Sequence, residues 1–444
     1  MKPNAVTRLL CAATLGLGFA AHAPAQTNIV LWHALSGATG DQLLQLVERF
    51  NASQSTYQIV PVYKGSEQDT VKAGLEAQRA GNPPHILQID ELAADAALQA
   101  RNAFRPVYQV MQEAREPLKP GSYVKAVSER FSDARGRLVS LPFNTATPVL
   151  FYNRDVFATA GLDPDDPPRT WMKVQQAALK LMDSQSVNCA YTTDAPAWVH
   201  VENLLAWHNE PLSERGSRGM QEKLVFNARL LMRHIGLLSS WVKSGLFSYY
   251  GRRNEGEMKF AEGECAMLTG SSSSYGDIVQ KARFRLGVSP LPFHDDFPGA
   301  PFNTLVGGGS LWVMSGSKKA EYKGVAKFLS FLSQPEVQAQ WHQATGFLPA
   351  IAEAFELGDR QGYYQINPGI DVPVRQVHGT VPHQRVKRER NGHAAWLRSI
   401  ADEELEAVWA QRKTPKQALD DAVERGNRLL QTLATRRPRA PAVR

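Results

Sequence analysis

The sequence predicts an α/β protein of two lobes, and three observations predict it. From Thr27 onward, short apolar strands alternate with helical segments, the pattern of βαβ units and a parallel sheet with helices on both faces. The 444-residue chain is longer than one core usually supports, so two domains are expected. Between two such α/β regions runs an extended stretch, 138–153, interrupted by Pro142 and Pro148, which reads as chain passing from one lobe to the other.

The elements follow in order. Lys2 and Arg8 precede an apolar run at 9–20, and small residues follow up to Gln26. That is the order of a cleavable secretory signal, and the run is too short to span a bilayer. Cleavage is expected after Ala25, because a cut after Ala23 would leave Pro24 first. Cys11 lies inside the run rather than at its end, which argues against a lipid anchor. Strands are expected at 28–32, 57–63 and 85–90. A helix at 41–50 places Leu43, Leu44, Leu46, Val47 and Phe50 on one face, and another at 70–80 is closed by Gly81. Ligands of such sheets bind at the carboxyl ends of strands, which draws attention to 64–67 and to Asp90–Glu91. Thr170 caps a helix from Trp171, and a second α/β region runs through Cys189. A further strand and a serine run occupy 263–274, and from Lys319 the chain is mainly helical. The tail at 435–444 is expected to be disordered.

Composition limits the function classes. The formal charge of +7 becomes +5 once Lys2 and Arg8 are removed, which is compatible with solubility and a bias towards anionic ligands. Cys189 and Cys265 remain after cleavage, and either a disulfide or two buried thiols fits an exported chain. No His-Glu-x-x-His, Walker A loop or Cys-x-x-Cys is present. Ser315-Gly-Ser-Lys318 has Ser-x-x-Lys spacing, a pattern short enough to arise by chance, and the adjacent acids Asp165 and Asp166 read as a solvated loop. Arg385, Lys387, Arg388 and Arg390 lack the interleaved aromatics of a nucleic-acid surface, so no nucleic-acid partner is expected. The glycines at 307–309, before an expected strand at 311–314, suit either close approach of backbone N–H groups to a ligand or, alternatively, a tight turn or close strand packing. The hydroxyls of 271–274 suit either a ligand or a polar loop.

Several ordered stretches resemble one family. They are 60–65 (Val-Pro-Val-Tyr-Lys-Gly), 84–91 (Pro-His-Ile-Leu-Gln-Ile-Asp-Glu), 141–150, 263–267, 307–314, 341–349, 402–409 and 413–419. The chain resembles the extracellular solute-binding proteins of ABC importers, the family of the maltose binder, and within it the glycerol-3-phosphate-binding branch. The resemblance covers nearly all of the mature chain. It implies a periplasmic, two-lobe, type II-like binding-protein fold with the ligand between lobes that close on it. It also implies a non-enzymatic monomer, with no metal or cofactor, that docks on permease subunits in the inner membrane. The implied division places 26–146 and a returning segment around 271–335 in the N-terminal lobe, and 147–270 with the helical 336–434 in the C-terminal lobe.

Ligand positions transfer unevenly. Glu91 matches an acid that accepts hydrogen bonds from glycerol hydroxyls. Ser271, Gly308 and Arg398 match a hydroxyl, a backbone N–H and a bidentate cation for phosphate. Glu67 and Phe347 stand where the pattern has tyrosines, Ala146 where it has serine, and Ala195 where it has tryptophan, with Trp198 nearby. Each lost hydroxyl removes a hydrogen bond worth about 1.5–3 kcal/mol beside a charged partner. Glu67 adds a negative charge, and loss of the tryptophan should enlarge the pocket. A larger diester with a cationic head, such as glycerophosphocholine, is therefore an expectation beside glycerol-3-phosphate; another polar solute such as an oligosaccharide is the alternative.

Overall fold

The computed structural model describes residues 26–100, 102–215, 222–377 and 393–436. The signal segment, the basic run at 385–390 and residues 437–444 of the expected tail lie outside the described residues, while Thr435 and Arg436, expected to be disordered, end the helix Pro415–Arg436.

The described strands are β1 (Thr27–His33), β2 (Tyr57–Tyr63), β3 (Ile86–Asp90), β4 (Phe104–Arg105), β5 (Leu141–Ala146), β6 (Pro148–Asn153), β7 (Cys189–Thr193), β8 (Ser213–Arg215), β9 (Glu222–Leu224), β10 (Cys265–Ser271), β11 (Leu286–Pro290) and β12 (Gly307–Met314). One sheet has the order β2-β1-β3-β12-β4, with β5 also paired to β12. A second has the order β11-β6-β10-β7, and β8 and β9 form a separate pair. The expected parallel pairing holds for β2-β1-β3, whereas β12 lies antiparallel to β3, β4 and β5.

Local patterning explains the first lobe. In β1, Ile29 and Leu31 are buried while Val30 and Trp32 are partly covered, the two-residue period of a pleated strand. The helix Gly37–Ser53 buries Leu43, Leu46, Val47 and Phe50 at helical spacing and starts before the expected boundary. The helix Glu67–Arg79 begins at Glu67 because the Ser66 hydroxyl accepts from the Asp69 N–H. Inside it, a Cβ on Gly74 would stand 2.6 Å from Leu87, so the missing side chain lets the helix lie close on β3.

Each sheet has its own core. Ile29, Leu31, Ile59, Phe328 and Trp341 belong to the first, where the Trp341 ring stacks on Phe143 with centroids 4.5 Å apart. Trp171, Tyr191, Trp241, Leu405 and Leu419 belong to the second. The sheets divide the chain differently from the sequence reading. β11 pairs antiparallel with β6, so the chain returns to the first sheet only between Pro290 and Gly307. Val337, Trp341, Phe347 and Val374 pack into the first core, whereas the helices Ala394–Trp409 and Pro415–Arg436 pack into the second. The helical pattern of 336–434 does not show this split, because periodicity shows that a face is apolar, not which core it meets.

The chain crosses between sheets at Thr147, between β5 and β6. Gln376 bonds both crossings. Its amide nitrogen donates to the Pro148 carbonyl at 2.8 Å and the Thr304 hydroxyl at 3.0 Å, and its oxygen accepts from the Leu291 N–H at 2.8 Å. Cys189 and Cys265 are disulfide-bonded and face one another as register partners on β7 and β10, which decides between the two states open in the sequence.

Candidate functional site

A cavity of about 350 Å³ lies between the two sheets. All seven residues singled out from the sequence line it: Glu67, Glu91, Ala146, Ser271, Gly308, Phe347 and Arg398. Strand ends assemble most of it. Asp90 ends β3 and Glu91 follows it, Ala146 ends β5, Ser271 ends β10, and Ala34 to Ser36 follow β1.

The glycine run is the start of β12, packed closely on β5, which is the strand-packing alternative left open in the sequence. Gly308 has φ of +91°, and a Cβ there would lie 2.1 Å from the Asn144 carbonyl oxygen, so only glycine fits. At Gly307 a Cβ would stand 2.9 Å from the Trp198 ring and 3.2 Å from a Glu91 oxygen. The bare backbone there leaves room for an indole of one lobe and a carboxylate of the other. Trp198 opens a π-helical turn, Trp198–Asn203, and its buried indole N–H has no partner among the described residues. Ala195 does not line the cavity and adopts a positive φ of +45°. Trp198, three positions on, supplies the indole of the wall.

Arg398, on the helix Ala394–Trp409, is clasped by carboxylates of both lobes. Its Nε and Nη2 donate to Glu202 at 2.7 and 2.9 Å, and Nη2 also donates to Glu91 at 2.7 Å. The second Glu91 oxygen pairs with Arg130 at 3.0 Å. Burial works against the Arg398 charge, but Glu202 and Glu91 outweigh it and hold the guanidinium pKa above its ordinary value. The Asp402 carboxylate accepts from the Ala197 N–H at 2.8 Å, which ties the helix of Arg398 to the turn of Trp198.

Carboxylates dominate the rest of the wall. Burial, then the charge of Asp90, pushes the Glu67 pKa well up, and the Gln88 amide opposes this by hydrogen-bonding to it. Burial likewise raises Glu257, against a hydrogen bond from Ser274. Among the described lining residues, Glu67, Asp90, Glu91, Glu257 and Asp277 surround a single arginine. The wall therefore offers one strong anion donor amid groups that attract cations, with hydroxyls at Ser271, Ser273 and Ser274.

The sequence reading passed over Ser36, Thr39, Asn144, Glu257 and Asp277, all in this wall. Ser36 follows the end of β1 and could have been reached by the same strand-end rule that flagged Glu67. Glu257 and Asp277 sit on short helices of the other lobe, Glu255–Ala261 and Tyr275–Lys281, and carry no local signal. Lys64, flagged with Glu67, instead lies over the Trp32 ring with Nζ 4.0 Å from its centroid. Asp165 pairs with Arg154 away from the cavity.

Comparison with known proteins places the chain. Residues 45–367 match the family described as bacterial extracellular solute-binding protein. The sn-glycerol-3-phosphate-binding periplasmic protein UgpB of Yersinia enterocolitica is 44% identical over 433 residues, covering 97% of this chain and 98% of that protein. UgpB of Salmonella paratyphi A is 45% identical over 419 residues, covering 94% and 95%. The crystal structure of UgpB from Mycobacterium tuberculosis in complex with glycerophosphocholine shares the fold with a TM-score of 0.76 at 19% identity, covering 92% of this chain and all of that one. Maltose-bound T. maritima MalE3 shares it with a TM-score of 0.71 at 16% identity, over 92% and 100% of the two chains. By sequence over nearly its whole length and by its two-lobe fold, the chain belongs to the bacterial extracellular solute-binding protein family.

Proposed function

We propose that this chain is the periplasmic substrate-binding subunit of an ABC importer and captures sn-glycerol-3-phosphate or, with preference, a glycerophosphodiester bearing a cationic head such as glycerophosphocholine. The observation that carries the preference is that, among the described lining residues, one arginine is set with five carboxylates. A phosphate monoester brings a charge of about −1.5 to −2 at neutral pH. A choline diester is neutral overall, so its phosphate can meet Arg398 while its cation meets the acids. In this reading Arg398, the Ser271 hydroxyl and the Gly308 N–H hold the phosphate, Glu91 accepts from glycerol hydroxyls, and Trp198 and Phe347 flank the ammonium. Ala146 leaves space where a hydroxyl would otherwise reach in.

Glu91 comes from one lobe and Arg398 and Glu202 from the other, so a ligand held here contacts both lobes only when they are closed. Binding then selects the closed form, which docks on the permease subunits in the inner membrane as a monomer. Capture rather than catalysis fits a wall whose serines have no histidine beside them among the described lining residues. The signal-like N-terminus and the Cys189–Cys265 disulfide support export.

The test is calorimetric titration of ligand-stripped mature protein with glycerol-3-phosphate and glycerophosphocholine side by side. Tighter binding of the diester is expected. Tighter binding of the monoester overturns the preference, and silence from both with a response to an oligosaccharide moves the chain to the sugar-binding alternative.

A further inference from the structure

The Arg398 clasp belongs to a row of four charges, of which the capture reading uses the inner two. Arg130 Nη2 stands 3.0 Å from one Glu91 oxygen, and Arg398 Nη2 donates to the other at 2.7 Å. Arg398 Nε and Nη2 donate to the two oxygens of Glu202 at 2.7 and 2.9 Å. The signs alternate along the row, so these four charges cancel. Glu91 and Arg398 line the cavity, whereas Arg130 and Glu202 are not among its lining residues. Arg130 belongs to the short helical turn Glu129–Phe131 of the first lobe, and Glu202 to the turn Trp198–Asn203 of the second.

Glu202 takes one whole edge of the guanidinium. Arginine has one N–H on Nε and two on each terminal nitrogen. Glu202 and Glu91 accept from Nε and Nη2, so among the described residues Nη1 is the nitrogen left to donate to a phosphate. The ligand therefore meets the end of Arg398 rather than its Nε–Nη2 edge, and it must share the cation with a carboxylate already bound to it. Glu202 is buried, so water screens its charge little. A phosphate monoester, at about −1.5 to −2, is repelled by that charge up to about twice as strongly as a diester phosphate at the same place. Arg130 acts in the opposite sense, by offsetting the charge of Glu91.

We propose that Glu202 and Arg130 set the ligand charge that the cavity accepts, acting as positioning residues through Arg398 and Glu91 without touching the ligand. This rests on the reading that the ligand's phosphate meets Arg398. Neutralising Glu202 leaves the row with a surplus positive charge, which favours glycerol-3-phosphate over the internally neutral glycerophosphocholine. Neutralising Arg130 leaves a surplus negative charge and favours the diester. The change in each case is one unit of charge at a fixed place, whatever other groups lie near the row. A network that only holds the helix of Arg398 in place would alter both affinities alike.

The experiment is calorimetric titration of the mature protein with glycerol-3-phosphate and glycerophosphocholine, the weaker ligand being measured by displacement with the tighter. Wild type is compared with Glu202→Gln, Glu202→Asp and Arg130→Gln, and the readout is the ratio of the two affinities. Glu202→Gln should shift the ratio about tenfold towards the monoester, and Arg130→Gln about as far towards the diester. Glu202→Asp keeps the charge with a shorter reach, so it should weaken both ligands and leave the ratio at the wild-type value. An unmoved ratio in Glu202→Gln overturns the proposal and leaves the row a structural one. An equal shift in Glu202→Asp also overturns it, because geometry rather than charge then governs the choice. If Glu202→Gln does not fold, Arg130→Gln decides, and an unmoved ratio there overturns the proposal. Wild-type protein that binds neither ligand overturns the capture reading and the proposal with it.

Discussion

At the residue scale, Arg398 has the most to lose. Its guanidinium serves two carboxylates that are themselves buried, so truncation would remove the fork that joins Glu91 to Glu202. Breaking a buried pair costs about 3–5 kcal/mol. Arg398→Ala should therefore lower the unfolding midpoint in urea and abolish ligand binding by calorimetry. Arg398→Lys keeps the charge but not the fork, and should bind at least tenfold more weakly with a smaller stability loss.

Asp194 offers a pH test on the same scale. Its carboxylate accepts from the Gly256 and Glu257 N–H groups, and burial, then Glu257, pushes its pKa up to about 8. The folded state thus holds a proton that the unfolded chain releases near its ordinary pKa of 3.8. The favourable contribution is complete below that value and is lost as pH rises towards 8. Asp194→Asn cannot titrate, so wild-type stability should fall relative to the variant as pH rises and level off above that point. Thermal melts of the two proteins across this range measure the gap. A constant difference would mean that Asp194 is ionised throughout.

At the element scale, the cross-link between β7 and β10 acts on the second sheet at the end away from the cavity. Cys189 and Cys265 begin their strands, whereas Ser271, at the far end of β10, lines the cavity. The bond joins residues separated by 76 positions, and removing a disulfide of this kind typically costs about 2–5 kcal/mol. The double variant Cys189→Ser/Cys265→Ser should melt several degrees lower yet keep ligand affinity within about threefold. A large affinity loss would show that the strand transmits its order to the serine end.

At the scale of the whole molecule, function depends on two bodies joined by strands that Gln376 holds together. Gln376→Leu leaves the Leu291 N–H and the Pro148 carbonyl without these partners, and each orphaned buried group costs about 1–3 kcal/mol. The ligand-free variant should show a larger radius of gyration by small-angle scattering. Its ligand affinity should fall as the closing-competent population shrinks. In the wild type, ligand at about a hundred times its Kd should add about 2.7 kcal/mol of stability and compact the molecule. An unchanged radius in both proteins would place the ligand contacts within one lobe.

The sequence by itself determined the strand–helix alternation, the crossing of the chain near Thr147 and the residues Glu67, Glu91, Ser271, Gly308, Phe347 and Arg398 as a set worth bringing together. Strands and helices are legible because their apolar periods of two and about 3.6 are local. The resemblance to a family carried the set, since nothing local distinguishes Arg398 from other helical arginines. Tertiary structure alone decided the antiparallel place of β12, the attachment of β11 to the second sheet, the pairing of Cys189 with Cys265 and the entry of Trp198 rather than position 195 into the wall. It also decided that Glu257 and Asp277 line the same cavity as Glu67 and Asp90 of the other lobe, and that Arg398 is held by Glu91 some three hundred residues earlier. Each of these is a relation between distant segments. Periodicity shows that a face will be buried, but only packing of the whole chain selects its partner and the charges it meets.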